Sequence, residues 1–192
     1  MNLTFDQKID FERLIGPETS LESMLIAEPE FQAGYHWGIP RFGHPEGKVG
    51  LHVREVLDNV ELLDTDAETR RALRLITIVH DTFKFREDKD RRNGAFKHHG
   101  LMARQFVEGY LNEQSILDII ELHDEAYYVW RGLELEKNIK ASNQRFDVLL
   151  KRLEDNLPLF HFFFKCDTQT GDKIQAPLKW FERWLKNSGM EF

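Results

Sequence analysis

The residues most able to do chemistry lie where an apolar stretch, residues 73–79, ends in His80 and Asp81. Leu73, Ile76 and His80 recur at helical spacing, so one buried helix face would carry the His80 imidazole into the protein interior. A carboxylate beside that imidazole is costly to bury unless a cation neutralises it, and a divalent metal ion would do so. The plain alternative is a helix that ends in polar residues, with His80 satisfied by a hydrogen bond.

Four more histidine and aspartate residues fall at an end or on the inner face of other predicted apolar helices. They are His52, His98, His123 and Asp167. Imidazole and carboxylate groups without thiolates suit Zn, Mn, Fe, Co, Ni or Mg better than they suit a structural thiolate zinc site. One histidine on an apolar face is more often a satisfied core residue, but six such groups converging from five helices would be hard to bury without metal. The sequence therefore predicts a site for one or two divalent ions.

Helices must position these groups, and the apolar spacing predicts them along the chain. We expect two short helices within residues 4–31. Later helices are expected over residues 49–63, 67–80, 98–111, 116–123, 143–153 and 157–167, with a last one around Trp180 and Trp184. No segment shows the alternating pattern of a strand. The predicted fold is all-α, with residues 1–192 forming a single helical domain.

Two stretches between these helices are predicted to be loops. Residues 32–48 are rich in glycine and proline, and they form either a plain connector or the rim of a pocket. Residues 84–97 hold six basic and three acidic side chains, which gives a local positive charge in an acidic protein. This charged stretch is either a solvated loop or a lid that faces an anion.

Composition excludes several classes of protein. Hydrophobic residues make up 41% of the chain and charged residues 31%, as is usual for a globular domain. The net charge of −7 makes nucleic acid unsuited as the main partner. Cys166 is the single cysteine, which rules out an internal disulfide and fits a reducing compartment. The sequence shows neither a signal peptide nor an apolar run long enough to span a membrane. A cytoplasmic location is therefore expected, and a membrane partner is not.

The ordered set of these residues resembles the HD-domain superfamily of metal-dependent phosphohydrolases. That pattern is a histidine, a His-Asp dyad, further histidines in many members and a final aspartate. It is carried here, in that order, by His52, His80-Asp81, His98, His123 and Asp167. The resemblance spans residues 44–172, so it implies an HD-type helical bundle preceded by residues 1–43, two helices and a loop, and followed by a helix within residues 173–192.

Local sequence strengthens the resemblance. The segment His44-Pro45-Glu46-Gly47 is similar to the lead-in of the HD domain in bacterial CCA-adding tRNA nucleotidyltransferases. The segment from His80 to Lys84 is similar to a His-Asp-x-x-Lys form of the dyad, with Phe83 in place of the usual glycine. Nucleotide addition is not expected, because the catalytic domain of that family lies upstream of its HD domain and only 43 residues precede His44.

The resemblance also implies roles for the metal ligands. His52, His80, Asp81 and Asp167 would hold a first ion. His98 and His123 would hold a second one, with Asp81 bridging the two. The spacing favours His98 over its neighbour His99 for this role, and both remain candidates.

The implied reaction is cleavage of a phosphomonoester or phosphodiester by a metal-activated water. Asp81 would be central to it, and Lys84 would neutralise charge on the phosphate oxygens or be a surface lysine. Further phosphate groups would contact Arg41, Arg86 and Arg92, for which a purely solvated role is the main alternative.

A small phosphorylated substrate is thus expected, with a nucleotide favoured by aromatic residues that could stack on a base. These are Tyr127, Tyr128 and Trp130, which could equally be core residues. Asp124 could be an acid beside the metal ligands or a helix cap. Two other readings share the ligand set: an HD-fold di-iron oxygenase, and a non-catalytic module that binds nucleotides. The oligomeric state is not predicted.

Overall fold

A computed structural model describes residues 9–92 and 97–190, except the side chains of residues 88 and 89. The regular elements of this part of the chain are helices. They are α1 (Phe11–Ile15), α2 (Ser20–Ala27), α3 (Pro29–Tyr35), α4 (Val49–Glu61), α5 (Ala67–Val79), α6 (Lys84–Arg92), α7 (His99–Val107), α8 (Gln114–Leu122), α9 (Glu125–Glu134), α10 (Ile139–Leu153), α11 (Leu157–Thr168) and α12 (Ala176–Asn187). A short 3₁₀ turn, Glu154–Asn156, joins α10 to α11. The all-α prediction is confirmed.

Helix α5 lies at the centre of the core. Asp66 begins it by accepting hydrogen bonds from the backbone amides of Glu68 and Thr69, each at 2.9 Å. Its second half, residues 72–79, is buried on every side, and it includes the polar Arg74 and Thr77 beside the apolar residues. It packs against α2, α4, α8 and α11. The helix therefore delivers His80, at its C-terminal end, directly into the protein interior.

Helices α1 to α3 cover one side of α4 and α5. Arg54 on α4 donates to the carbonyl of Ile15 at 3.0 Å, and the Tyr35 hydroxyl donates to the carbonyl of Ile78 at 2.9 Å. Arg74 on α5 is buried and forms a two-pronged ion pair with the buried Glu22, at 3.1 and 2.9 Å. The N-terminal helices are thus fixed to the central helix by both apolar and polar contacts.

The helices differ from the prediction in three places. The N-terminal segment forms three helices instead of two, and the third, α3, extends to Tyr35, so the loop after it begins later than residue 32. The charged stretch forms helix α6 over residues 84–92, because lysine, arginine and glutamate are good helix formers and Arg91 pairs with Glu87 one turn away. Helix α9, which contains Tyr127 and Tyr128, was not predicted. Predicted helix residues 4–8, predicted loop residues 93–96 and the C-terminal pair 191–192 lie outside the described residues.

Among the described residues, no helix combines the length and apolarity needed to cross a membrane.

One cluster of buried side chains joins helices from α1 to α12, so a single hydrophobic core underlies them.

A glycine in α3 lets this helix approach the segment that follows His80. A Cβ atom on Gly34 would lie 2.0 Å from the carbonyl oxygen of Thr82, a backbone atom that cannot move aside easily. The Gly34→Ala variant should therefore lose about 1–3 kcal/mol in free energy of unfolding, the usual cost of overpacking. Urea denaturation followed by circular dichroism measures this loss.

The matched control is Gly109→Ala, where the added Cβ meets its nearest atom at an ordinary 3.6 Å. Its free energy of unfolding should stay close to the wild-type value. Equal stability of the two variants would contradict the close approach of α3 to Thr82.

Candidate metal centre

Two histidines stand at the C-terminal ends of neighbouring helices in the core, His80 after α5 and His123 after α8. Each ring is held by its Nδ1 atom, which lies 2.9 Å from the carbonyl oxygen of Thr77 in the first case and 2.8 Å from that of Ile120 in the second. A carbonyl oxygen can only accept, so Nδ1 carries the proton in both rings. The Nε2 atoms are left to face the interior, as in metal-binding histidines.

The other two inward histidines have a carboxylate near Nδ1, and that of His99 forms a hydrogen bond. Nδ1 of His99 lies 2.5 Å from Oε2 of Glu87, which also accepts from the His99 backbone amide at 2.9 Å. Nδ1 of His52 lies 3.5 Å from both Oε1 of Glu46 and the Thr170 hydroxyl. Again Nε2 points inward. A hydrogen-bonded Nδ1 of this kind fixes the ring orientation of metal-binding histidines.

Asp81 lies between these histidines and divides them into two pairs. Its Oδ2 atom is 3.7 Å from Nε2 of His52 and 3.5 Å from Nε2 of His80. Its Oδ1 atom is 3.2 Å from Nε2 of His99 and 3.4 Å from Nε2 of His123. One carboxylate therefore offers a separate oxygen to each pair of imidazoles. We call the two sets of donors the His52 group and the His99 group.

Asp167, near the end of α11, completes the His52 group. Its Oδ1 atom lies 2.9 Å from Nε2 of His52 and 3.8 Å from Nε2 of His80. The group thus has two imidazole nitrogens and two carboxylate oxygens that converge from α4, α5 and α11. These are the residues that the sequence predicted for the first ion.

The donors fit divalent metal ions. His52, His80 and Asp81 are almost wholly buried, at 2% exposure or less. Nε2 of His80 and Oδ1 of Asp81 make no well-formed hydrogen bond to any described residue. Leaving such atoms unsatisfied in the interior costs about 1–3 kcal/mol each. A metal ion with ligand distances near ~2.0–2.2 Å would bind donor atoms spaced as these are.

Protonation also favours metal binding in the His52 group. Burial lowers the pKa of His80 to about 3 and also lowers that of His52, so both rings are neutral near neutral pH. Burial would raise the pKa of Asp167, but the Lys173 ammonium holds it well below its usual range. Neutral imidazoles and an ionised carboxylate are the forms that bind metal.

His99, rather than His98, is the histidine that lies beside Asp81 and His123. The two Nε2 atoms of His99 and His123 are 3.1 Å apart. His98 precedes the first turn of α7 and caps it, accepting from the Gly100 amide at 3.2 Å through Nδ1. Because the helix begins at His99, the ring of His98 turns back over the helix end while the ring of His99 faces the core. Spacing alone could not separate these adjacent residues.

Two lysines contact the acidic residues of the centre. Nζ of Lys84 lies 2.5 Å from Oδ2 of Asp81. Nζ of Lys173 lies 2.9 Å from Oδ1 of Asp167. Lys173 was not predicted as a site residue. The signal that could have found it is its position only six residues after Asp167. Each carboxylate of the His52 group thus has its own ammonium.

A cavity of about 520 Å³ opens over the centre. Its floor includes Asp81, His99, His123 and Asp167. Cationic and aromatic side chains line its walls: Arg41, Lys84, Arg91, Lys173, Trp37, Phe42, Tyr127 and Tyr128.

Three residues singled out in the sequence do not line this cavity. Arg86 is exposed and pairs with Glu30 on α3, and its guanidinium lies over the ring of Phe83. Arg92 is exposed near the end of α6. Trp130 is buried in α9. The structure therefore brings Arg41 to the cavity, but neither Arg86 nor Arg92.

Comparison of the chain with protein-family models, with curated proteins and with solved structures finds no match.

Glu87 offers a test of how the His99 group is held. The Glu87→Ala variant removes the carboxylate on Nδ1 of His99, so the ring loses its fixed orientation. We expect an affinity about 10–100-fold lower for one of two metal ions, the usual effect of losing such a partner. Titration of the metal-free protein with Mn²⁺ in a calorimeter measures it.

The control is Glu108→Ala, which removes a surface ion pair with Arg104 at the end of α7. This variant should bind both ions as the wild type does. If Glu87→Ala did the same, His99 would not be a ligand positioned by Glu87.

Proposed function

We propose that this protein is a binuclear metal-dependent phosphohydrolase that cleaves a phosphomonoester or phosphodiester. The observation that carries the proposal is Asp81, whose two carboxylate oxygens face two separate pairs of buried imidazoles. Such a shared carboxylate would hold two ions side by side, as in two-metal sites that act on phosphate esters. The resemblance of the residue order to the HD-domain superfamily supports the same activity.

The chemistry follows from the cations around the centre. Bound metal ions would lower the pKa of a water molecule towards neutrality and polarise a phosphoryl oxygen. Lys84 and Lys173 would move from their carboxylates onto the non-bridging phosphate oxygens, because bound metal ions would then neutralise those carboxylates. Charge developing on these oxygens would be stabilised by the two ammonium groups. Arg41 and Arg91, which also line the cavity, would contact a further phosphate group.

The walls of the cavity favour a nucleotide as the substrate. Phe42 lines the cavity and is 75% exposed, so its ring is accessible to a ligand. Trp37, Tyr127 and Tyr128 lie in the same walls. Stacking between an aromatic side chain and a base contributes about 1–3 kcal/mol per base. A base held near these rings would leave its phosphate directed towards Lys84.

The experiment that tests this function starts with chelator-treated protein. Mn²⁺, Co²⁺, Ni²⁺ or Mg²⁺ is then added, and hydrolysis of p-nitrophenyl phosphate and bis(p-nitrophenyl) phosphate is followed before a panel of nucleotides is tried. We expect about two ions per chain and hydrolysis that depends on added metal. Metal-free protein with no affinity for any of these ions would refute the proposal. Bound iron without hydrolysis would instead support an oxygenase.

Lys84 gives a sharper prediction within this assay. The Lys84→Met variant keeps an unbranched side chain that is one atom shorter but removes its charge, so kcat should fall about 10²-fold, as for other lost donors to a transition-state oxyanion. Metal content should stay at the wild-type level.

The matched control is Lys151→Met, which removes a lysine from an exposed position on α10, distant in sequence from Lys84. Its kcat should equal that of the wild type. An unchanged kcat in Lys84→Met would remove Lys84 from the reaction.

A further inference from the structure

The chain contains a second His-Asp dyad that copies the first. Helix α8 ends in His123-Asp124 just as α5 ends in His80-Asp81. Both histidines follow the last helical residue, and both bind the carbonyl three residues earlier through Nδ1. In each dyad, Nε2 of the histidine lies 3.5 Å from Oδ2 of the aspartate that follows it. The local geometry that makes Asp81 a candidate ligand is therefore repeated at Asp124.

Asp124 lies on the open side of the His99 group. Its Oδ2 atom is 3.5 Å from Nε2 of His99 and 3.5 Å from Nε2 of His123. The residue also lines the cavity, with its side chain 26% exposed. Its carboxylate therefore faces the same two nitrogens as Oδ1 of Asp81.

His98 lies beside this carboxylate. Its Nδ1 atom accepts from the Gly100 amide, so a neutral ring carries its proton on Nε2. That Nε2 atom lies 3.5 Å from Oδ2 of Asp124 and has no well-formed hydrogen bond to any described residue. A proton donor aimed at a carboxylate oxygen is the outer support that metal-binding carboxylates commonly have.

We propose that Asp124 is a ligand of the metal ion held by the His99 group, and that His98 is its positioning residue. This inference rests on the proposed function, since it requires a second ion. Each ion then has two imidazole nitrogens and two carboxylate oxygens, from His52, His80, Asp81 and Asp167 on one side, and from His99, His123, Asp81 and Asp124 on the other. Such mixed nitrogen and oxygen donors suit Mn²⁺ or Fe²⁺, which favour carboxylate ligands more than softer ions do.

The test compares Asp124→Asn with Glu125→Gln. Both remove one negative charge, but Glu125 pairs with Arg145 and does not line the cavity. Metal-free proteins are titrated with Co²⁺, and binding is followed by calorimetry and by visible absorption. We expect Asp124→Asn to weaken one of two equivalents at least ~10-fold and to alter the absorption spectrum at saturation. Glu125→Gln should match the wild type in both measurements.

A purely electrostatic role makes a different prediction. Loss of charge alone would weaken binding but leave the saturated spectrum unchanged, because the ligands of the bound ion would be the same. That outcome, or two equivalents with wild-type affinity, would overturn the inference. Asp124→Glu retains a carboxylate and should restore part of the lost affinity, which guards against a variant that merely folds poorly. If the wild type binds no ion, the proposed function itself fails.

Discussion

Asp81→Asn is expected to lose affinity for both metal ions and to reduce kcat/KM at least ~10³-fold, which corresponds to about 4 kcal/mol of transition-state stabilisation. The reason is geometric, because its two oxygens lie within 3.7 Å of four imidazole nitrogens in two separate pairs. An amide keeps the shape but removes the charge and turns one oxygen into a donor. Elemental analysis after dialysis, beside the phosphodiester assay, measures both effects.

A control variant should separate this result from a general loss of negative charge. Asp58→Asn removes a carboxylate from an exposed position on α4, where the side chain is 66% exposed. It should keep two ions and full activity. Loss of one ion alone in Asp81→Asn would show that the carboxylate belongs to a single metal site.

The second large effect concerns stability. Arg74→Met should lower the free energy of unfolding by about 3–5 kcal/mol, because it leaves the carboxylate of Glu22 buried without its cationic partner. Both side chains are at most 3% exposed, so water cannot take over the lost contacts. Urea denaturation measures the change.

Arg70→Met is the matched control for this variant. Arg70 pairs with Glu18 and Glu61 near the surface, with its side chain 33% exposed, and the loss should be at most about 1 kcal/mol. The double variant Glu22→Leu, Arg74→Met should recover most of the stability, because apolar side chains can replace a buried ion pair. A similar loss in Arg70→Met and Arg74→Met would show that burial does not set the cost.

Much of the candidate centre was predictable because its residues stand at the ends of strongly apolar helices. The run before His80 carries apolar residues at helical spacing, which predicts a buried helix face and an inward His80. Asp167 follows the phenylalanine-rich part of α11 in the same way. Helices of this kind are recognisable from spacing alone, and the residues at their ends follow.

The remaining features depend on packing that spacing does not reveal. His98 and His99 differ by one residue, and the start of α7 decides which ring faces the core. Helix α6 is almost wholly charged, so no apolar periodicity marked it. Lys173 approaches Asp167 through a turn after α11, and a turn has no periodic pattern.

The position of the N-terminal helices shows that the unit that folds is larger than the unit that holds the ligands. Residues 44–172 include every proposed metal ligand, yet α1 to α3 lie before them. These helices bury Phe11, Ile15, Leu25, Ile26, Phe31 and Tyr35 against the rest of the core. A fragment cut at residue 44 would expose that apolar face of α4 and α5 and leave Arg74 without Glu22. A fragment reduced to residues 44–172 would therefore aggregate, even though it contains every proposed metal ligand.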